Sequence, residues 1–244
     1  MNIAMIISYD GSCFKGFQYQ PGLKTVQGTL QIALAKCLKE RIHIFGSGRT
    51  DAGVHAIGQV VNFKIKNLKI PMKNFKIWLN NSLNGEITVR EIFEVPEDFH
   101  SRHSAKGKRY MYWIKRGEKE PLLRNYCWFW RNEPWDIKKI KEAAKILEGE
   151  HNFRGFCIRL EEHQNPERRI DAINVAEDSK GLFLLFEAKG FLRGMVRMFT
   201  SAILHAGSGK ISVDDIKKRL EDPSHKGFPA KAPPNGLYLM EVIY

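Results

Sequence analysis

The stretch Phe45-Gly46-Ser47-Gly48-Arg49-Thr50-Asp51-Ala52-Gly53-Val54-His55 sets an arginine two positions before a carboxylate among three glycines. A carboxylate serves as a nucleophile or a base without help from a cofactor. Glycine permits tight bends, so a shaped loop would present Arg49 and Asp51 together. Spacing alone fits an ordinary glycine-rich connection with an ion pair just as well. Other chemistries lack their residues. No Lys-Ser/Thr pair follows the glycines as in a phosphate-binding loop, and there is no Gly-x-Gly-x-x-Gly after the first strand and no His-Glu-x-x-His. Ser47 lacks the Gly-x-Ser-x-Gly setting of a hydrolase. His100 and His103 are close in sequence but have no evident third ligand, so they read as loop or phosphate contacts rather than as a metal site.

The elements that must position this loop follow from periodicity. Asn2 to Ser8 is an apolar run that predicts a buried strand, stopped by Asp10-Gly11. Phe14 to Gln20 interleaves aromatic residues with Lys and Gln, a pattern suited either to a polynucleotide groove or to satellite core. Thr25 is an N-cap for a helix to about Glu40, and a strand is expected from Gln59 to about Ile65. Pro71 opens a short helix, and Ile87 to Val95 alternates as a strand. The polar segment from Phe99 to Ala105 marks a boundary between halves, residues 1–103 and 104–244.

In the second half, Lys106 to Lys115 predicts a strand with Lys106, Lys108, Tyr110 and Tyr112 on one basic-aromatic face. Such a face either stacks bases and attracts phosphates or is simply a half-buried strand. Asp136 caps a helix ending near Gly149, a polar loop runs from Phe156 to Arg168, and two strands pair around Asp178-Gly181. Phe191 to His205 reads as a helix with Arg193 and Arg197 on one side, facing either a reaction centre and a phosphate or solvent. Ser212 and Asp215 form a capping box, and the last strand runs from Leu237. The expected fold is α+β, two similar α/β subdomains with sheets joined edge to edge.

The 244 residues suffice for one large fold or two domains, and 43% apolar with 27% charged residues is a globular composition. A net charge of +12 points to a polyanion such as nucleic acid, with an anionic membrane surface as the runner-up. Four scattered cysteines suggest a reducing compartment, and the short apolar start is neither a membrane span nor a signal peptide, so a cytoplasmic protein is expected.

Ser47-Gly-Arg-Thr-Asp-Ala-Gly-Val-His55, running into Gly58-Gln-Val-Val, resembles the signature of the tRNA pseudouridine synthase I (TruA) family. Thr25-Val-Gln27, Asp98-Phe-His-Ser-Arg102, Lys108-Arg-Tyr-Met-Tyr112, Phe191-Leu-Arg-Gly-Met-Val-Arg197 and Gly236-Leu-Tyr-Leu239 resemble further family segments in order. The resemblance implies isomerisation of uridine to pseudouridine at positions 38, 39 or 40 of the tRNA anticodon stem-loop. It implies no cofactor and no metal, a homodimer, one extended antiparallel sheet with helices on one side, and an RNA-binding cleft between the halves.

By resemblance Asp51 is the nucleophile, Tyr110 stacks on the uracil, Arg197 pairs with the aspartate, and Arg49 helps to flip the nucleotide. Leu237 bounds the pocket, while Lys108, Arg102, Arg193, His55 and Gln59 join it as substrate-binding residues. Both attack at C6 of uracil and cleavage of the glycosidic bond through a glycal fit the resemblance. In each the base detaches, turns and rejoins through C5. Where many bacterial members have His-His-Met-Val-Arg-Asn, this chain has Arg193-Gly194-Met195-Val196-Arg197-Met198, which bears on target choice. The alternatives are a synthase of the same family acting on another RNA or position, and a noncatalytic RNA-binding protein.

Overall fold

A computed structural model describes residues 1–131, 134–160 and 165–244; positions 161–164 of the polar loop expected before Arg168 lie outside the described residues. In chain order the elements are β1 (Asn2–Tyr9), α1 (Val26–Leu38), β2 (Phe45–Gly46), β3 (His55–Lys64), α2 (Met72–Ser82), β4 (Ile87–Val95), β5 (Gly107–Arg116) and β6 (Trp128–Trp130). They continue as α3 (Ile137–Ile146), β7 (Gly149–Asn152), β8 (Glu167–Asp178), β9 (Gly181–Ala188), α4 (Met195–Gly207), α5 (Val213–Glu221) and β10 (Leu237–Ile243). Two compact units result, Met1–Lys106 completed by Tyr238–Tyr244, and Gly107–Leu237.

In the first unit the strand order is β4-β1-β3-β10, with β1 antiparallel to both neighbours and β10 parallel to β3. The C-terminal strand thus closes the unit that the N-terminus begins. The Thr25 side chain accepts from the Gly28 N–H at 3.2 Å, capping α1, whose Val26, Leu30, Ala33 and Leu34 are buried. Phe75 and Leu79 of α2 are also fully buried. The alternation expected of β3 does not become one wet and one dry face, because Val60, Val61, Asn62 and Phe63 are all buried.

Asn62 is tolerated there because its amide is bonded: Nδ2 donates to Asn2 Oδ1 at 3.0 Å, and Oδ1 accepts from the Ser101 N–H at 2.9 Å. Asn2 in turn donates to the carbonyls of Pro96 and Phe99, each at 2.9 Å. This buried network holds the segment leading to Arg102 against the sheet.

In the second unit the order is β5-β9-β8-β7, all antiparallel, with β6 added parallel to β5. Phe153, Phe156, Phe186 and Phe199 are buried together, with Phe153–Phe199 and Phe156–Phe199 ring centroids 5.1 and 5.4 Å apart. Asp136 caps α3 through the Lys138 N–H at 2.8 Å, and the Ser212–Asp215 capping box starts α5.

One expectation is corrected in this unit and one alternative is selected. Lys106 precedes β5, and on the face expected of that strand Tyr112 and Ile114 are fully buried while Lys108 and Tyr110 are half-buried, so the half-buried strand is the reading that holds. The helix expected from Phe191 begins only at Met195, because Gly194 adopts the left-handed conformation at φ +74 and breaks it from what precedes. Arg193 is therefore an exposed turn residue and shares no helix face with Arg197.

Candidate active site

Arg49, Asp51, His55, Gln59 and Arg102 belong to the first unit; Lys108, Tyr110, Arg193, Arg197 and Leu237 belong to the second.

In the first unit, β2 lies antiparallel to β3 with Phe45 opposite Asn62 and Gly46 opposite Val61. The Ser47 N–H continues this ladder by donating to the Val60 carbonyl at 2.8 Å. The chain then leaves the sheet for Gly48 to Val54 and returns at His55. This excursion carries Asp51, and it is pinned on both sides. The Thr50 carbonyl accepts from the Phe17 N–H at 3.1 Å, and the Thr50 and Tyr9 hydroxyls share a hydrogen bond of 2.8 Å. The Asp51 carbonyl accepts from the Val54 N–H at 3.1 Å, closing a turn in which Gly53 takes φ +81, a conformation disfavoured for residues with a Cβ.

Burial pushes the Tyr9 hydroxyl up to about 12, against the opposing pull of its bonds with Thr50 and Gln59. Tyr9 therefore stays protonated beside the loop throughout the neutral range. Asp51 itself is half-buried and Arg49 is exposed. A carboxylate in that position is reachable by a substrate while its backbone is fixed.

His55 and Gln59, expected among the substrate contacts, are 3% and 0% exposed, and both are hydrogen-bonded within the unit. Gln59 Oε1 accepts from the Ser47 hydroxyl while Nε2 donates to the Gly48 carbonyl at 3.1 Å, so one amide bridges the first two residues of the loop. His55 Nδ1 accepts from the Gly11 N–H at 3.0 Å, and its ring stacks on Tyr238 at 4.7 Å. Both residues position the loop that carries Asp51. Arg102 remains exposed, and its segment is fastened to β2, which leads into the same loop, by the Ser101 hydroxyl, which donates to the Phe45 carbonyl at 2.8 Å.

In the second unit, Tyr110 lies opposite Phe186 across the β5–β9 ladder. Its half-buried ring meets Phe191 edge to face, centroids 5.3 Å apart. Phe191 leads directly into the Gly194 turn, so Tyr110 is set against the approach to α4. A Cβ on Gly194 would stand 2.4 Å from Ile158 Cδ1, a second reason for glycine at this point. Arg197 follows in the first turn of α4 and is only 7% exposed.

The burial of Arg197 is organised by a strap from Ala230 to Asn235. Arg197 Nε donates to the Ala232 carbonyl at 2.7 Å, and the Ala232 N–H donates back to the Arg197 carbonyl at 3.0 Å. Tyr112 donates to the next carbonyl, that of Pro233, at 2.6 Å, and Ser201 donates to Ala230 at 2.6 Å. Burial drives the Tyr112 hydroxyl well above its ordinary range, even though the Arg197 charge pulls it down. Tyr112 therefore works as a neutral donor. Leu237 is buried at the start of β10, and Lys108 is half-buried.

Sequence reading alone missed Tyr9, Asn62, Ser101 and the Ala232 strap. The signal available for the first three was a polar group inside an apolar run or beside the loop. For the strap there was none, since a backbone carbonyl has no signature in sequence. Among the described residues no group of three or more His, Cys, Asp or Glu is placed to hold a metal ion, and no helix is long and apolar enough to cross a membrane.

The profile of a family described as tRNA pseudouridine synthase matches residues 5–104 and 143–244 of this chain. A protein named tRNA pseudouridine synthase A from Listeria monocytogenes is 42% identical over 243 residues, covering 98% of this chain and 97% of its own. Proteins of the same name from Dictyoglomus thermophilum and Caldicellulosiruptor bescii are 40% and 37% identical. Each match covers 100% of this chain and, in the same order, 100% and 99% of the relative.

Proposed function

The chain belongs to the tRNA pseudouridine synthase family, and on that premise we propose that it isomerises uridine at positions 38, 39 or 40 of the tRNA anticodon stem-loop with Asp51 as nucleophile. The observation that carries this reading is the Asp51 loop itself. A half-buried carboxylate, with its neighbour Thr50 tied to Phe17 and Tyr9 and its own carbonyl closing a turn with Val54, is held ready for attack on a nucleotide.

The reaction breaks the bond between N1 of uracil and C1′ of the ribose and forms one between C5 and C1′. The proton lost from C5 is balanced by one gained at N1. Atoms and electrons are conserved, so no oxidant or reductant enters. A nucleotide in a stem must first leave the stack, at a cost of a few kcal/mol. Exposed Arg49 is suited to fill the gap, and Arg102, Lys108 and Arg193 to hold phosphates, which fix register without reading sequence. Tyr110 supplies a ring face for the detached uracil, and Leu237 an apolar wall. Arg197, held through Nε, is assigned the orienting role that the family resemblance gives it. The reading includes a homodimer.

The test is the Asp51→Asn protein, which is expected to fold and bind tRNA but to leave no pseudouridine at these positions. Product made by the pure variant would remove Asp51 from this role. Pseudouridine found elsewhere in tRNA treated with the unmodified protein would instead move the target.

A further inference from the structure

The loop that carries Asp51 leans on a hydroxyl that the chemistry above does not use. Tyr9 ends β1 and is only 5% exposed, its ring meeting Phe14 edge to face at 6.4 Å. A phenylalanine would fill that place, whereas a buried hydroxyl costs free energy unless it is bonded. The Tyr9 hydroxyl is bonded to the loop. Thr50 Oγ1 lies 2.8 Å away, and Gln59, the bridge between Ser47 and Gly48, is a second partner. We propose that Tyr9 is a positioning residue for the reaction, fixing Thr50 so that the next residue, Asp51, keeps its carboxylate aimed at the nucleotide.

Three observations support it. First, the sheet turns Tyr9 toward the loop. β1 and β3 pair from Asn2 opposite Lys64 to Ile7 opposite Gln59, then slip by one residue, leaving Tyr9 opposite Ala56. A slip of this kind redirects the side chain that follows it. Secondly, the bond supplies a third tie beside Asp51. The Thr50 carbonyl accepts from the Phe17 N–H and the Asp51 carbonyl from the Val54 N–H, each at 3.1 Å, so the peptides flanking Asp51 are each tied at their oxygen. A peptide tied there still swings about that bond. The Tyr9 contact, made to a Thr50 only 7% exposed, opposes the swing. Thirdly, Tyr9 is placed to act through Thr50 rather than by moving a proton. Burial pushes its hydroxyl up to about 12, so it stays neutral, and the same burial keeps it from touching a nucleotide.

The inference rests on the reading of Asp51 as nucleophile for what is being positioned. It adds a residue from β1, outside the loop and outside the residues assigned to the substrate.

The experiment measures pseudouridine formation on a tRNA transcript in single turnovers, with protein in varied excess. The maximal rate and the half-saturating concentration are then obtained separately. Tyr9→Phe keeps the ring and removes the hydroxyl, and Thr50→Val removes the other end of the bond at nearly equal volume. A misplacement of about 1 Å costs about a hundredfold, so each variant should lower the maximal rate about five- to fiftyfold and shift half-saturation by less than about twofold. Thr50→Ser, which keeps a hydroxyl, should recover most of the rate lost in Thr50→Val. The double variant Tyr9→Phe/Thr50→Val should be no slower than the slower single one, because both cut the same bond. Thermal unfolding confirms that each protein is folded at the assay temperature. A folded Tyr9→Phe protein with the native maximal rate, or with a change confined to half-saturation, would overturn the proposal. Should Tyr9→Phe fail to fold, equal rates for Thr50→Val and Thr50→Ser would overturn it instead. Asp51→Asn is assayed beside them. Product from that variant removes the nucleophile and with it the need to position one, whereas an inactive Asp51→Asn beside an unimpaired Tyr9→Phe removes this inference alone.

Discussion

Gln59→Glu exchanges one NH2 group for oxygen at the buried bridge that holds the Asp51 loop. In the native protein Nε2 donates to the Gly48 carbonyl at 3.1 Å while Oε1 accepts from Ser47, and the side chain is 0% exposed. An ionised carboxyl still accepts from Ser47 but turns a second acceptor toward the Gly48 carbonyl. The loss is one buried hydrogen bond with its partner left unsatisfied, about 1–3 kcal/mol, plus desolvation of the new charge.

A total of about 3 kcal/mol corresponds to a carboxyl pKa raised by about two units over the unfolded chain. The sign follows from that direction. A raised folded pKa means that the folded state binds the proton more tightly, so the penalty is full above the folded pKa. It falls as pH drops toward the unfolded value near 4.3, because a protonated carboxyl donates to Gly48. Expressed as a melting temperature, about 3 kcal/mol lowers it by roughly 6–12 °C for a chain of this size. The assay is thermal unfolding of native and variant protein at about pH 8 and about pH 5.5, with pseudouridine formation measured alongside. The gap should narrow at the lower pH, and Gln59→Leu, which cannot regain the bond, should show no narrowing. A Gln59→Glu penalty independent of pH would refute the bridging role of the amide.

Two other substitutions probe the second unit. Tyr112→Phe removes the donor to Pro233 and should cost about 1–3 kcal/mol of stability, read by urea unfolding. It should also lower kcat more than it raises KM, since the strap that holds Arg197 loosens while the exposed Arg49, Arg102 and Arg193 stay in place. Gly194→Ala forces a Cβ into a left-handed residue and to 2.4 Å from Ile158, so a loss of about 1–3 kcal/mol is expected in the same assay. An unchanged midpoint would show that the turn before α4 relaxes without cost.

Much of the element order was legible because it rests on local rules. Thr25, Asp136 and the Ser212–Asp215 pair cap helices wherever the chain goes next, and Ile87 to Val95 alternates by itself. The long match around Asp51 was likewise readable as a segment, since a loop of glycines, an arginine and an aspartate is written consecutively. The helix start at Phe191 was misread because apolar periodicity continues through Gly194, whereas backbone handedness stops the helix there.

What sequence alone determined, then, is the inventory: which residues can react, which strands and helices carry them, and which family the pattern resembles. Tertiary structure decided which polar residues stay at the surface and which face inward. His55 and Gln59 sit in the signature beside Asp51, yet flanking strands and bends bury them, and an amide without water must spend its hydrogen bonds on nearby groups. Tyr112 and Tyr110 alternate identically in sequence, but only Tyr112 lies beneath the strap, where its hydroxyl finds Pro233 and its ring leaves solvent. Burial depends on what the rest of the chain lays over a residue, and neither a period of two nor a motif contains that information.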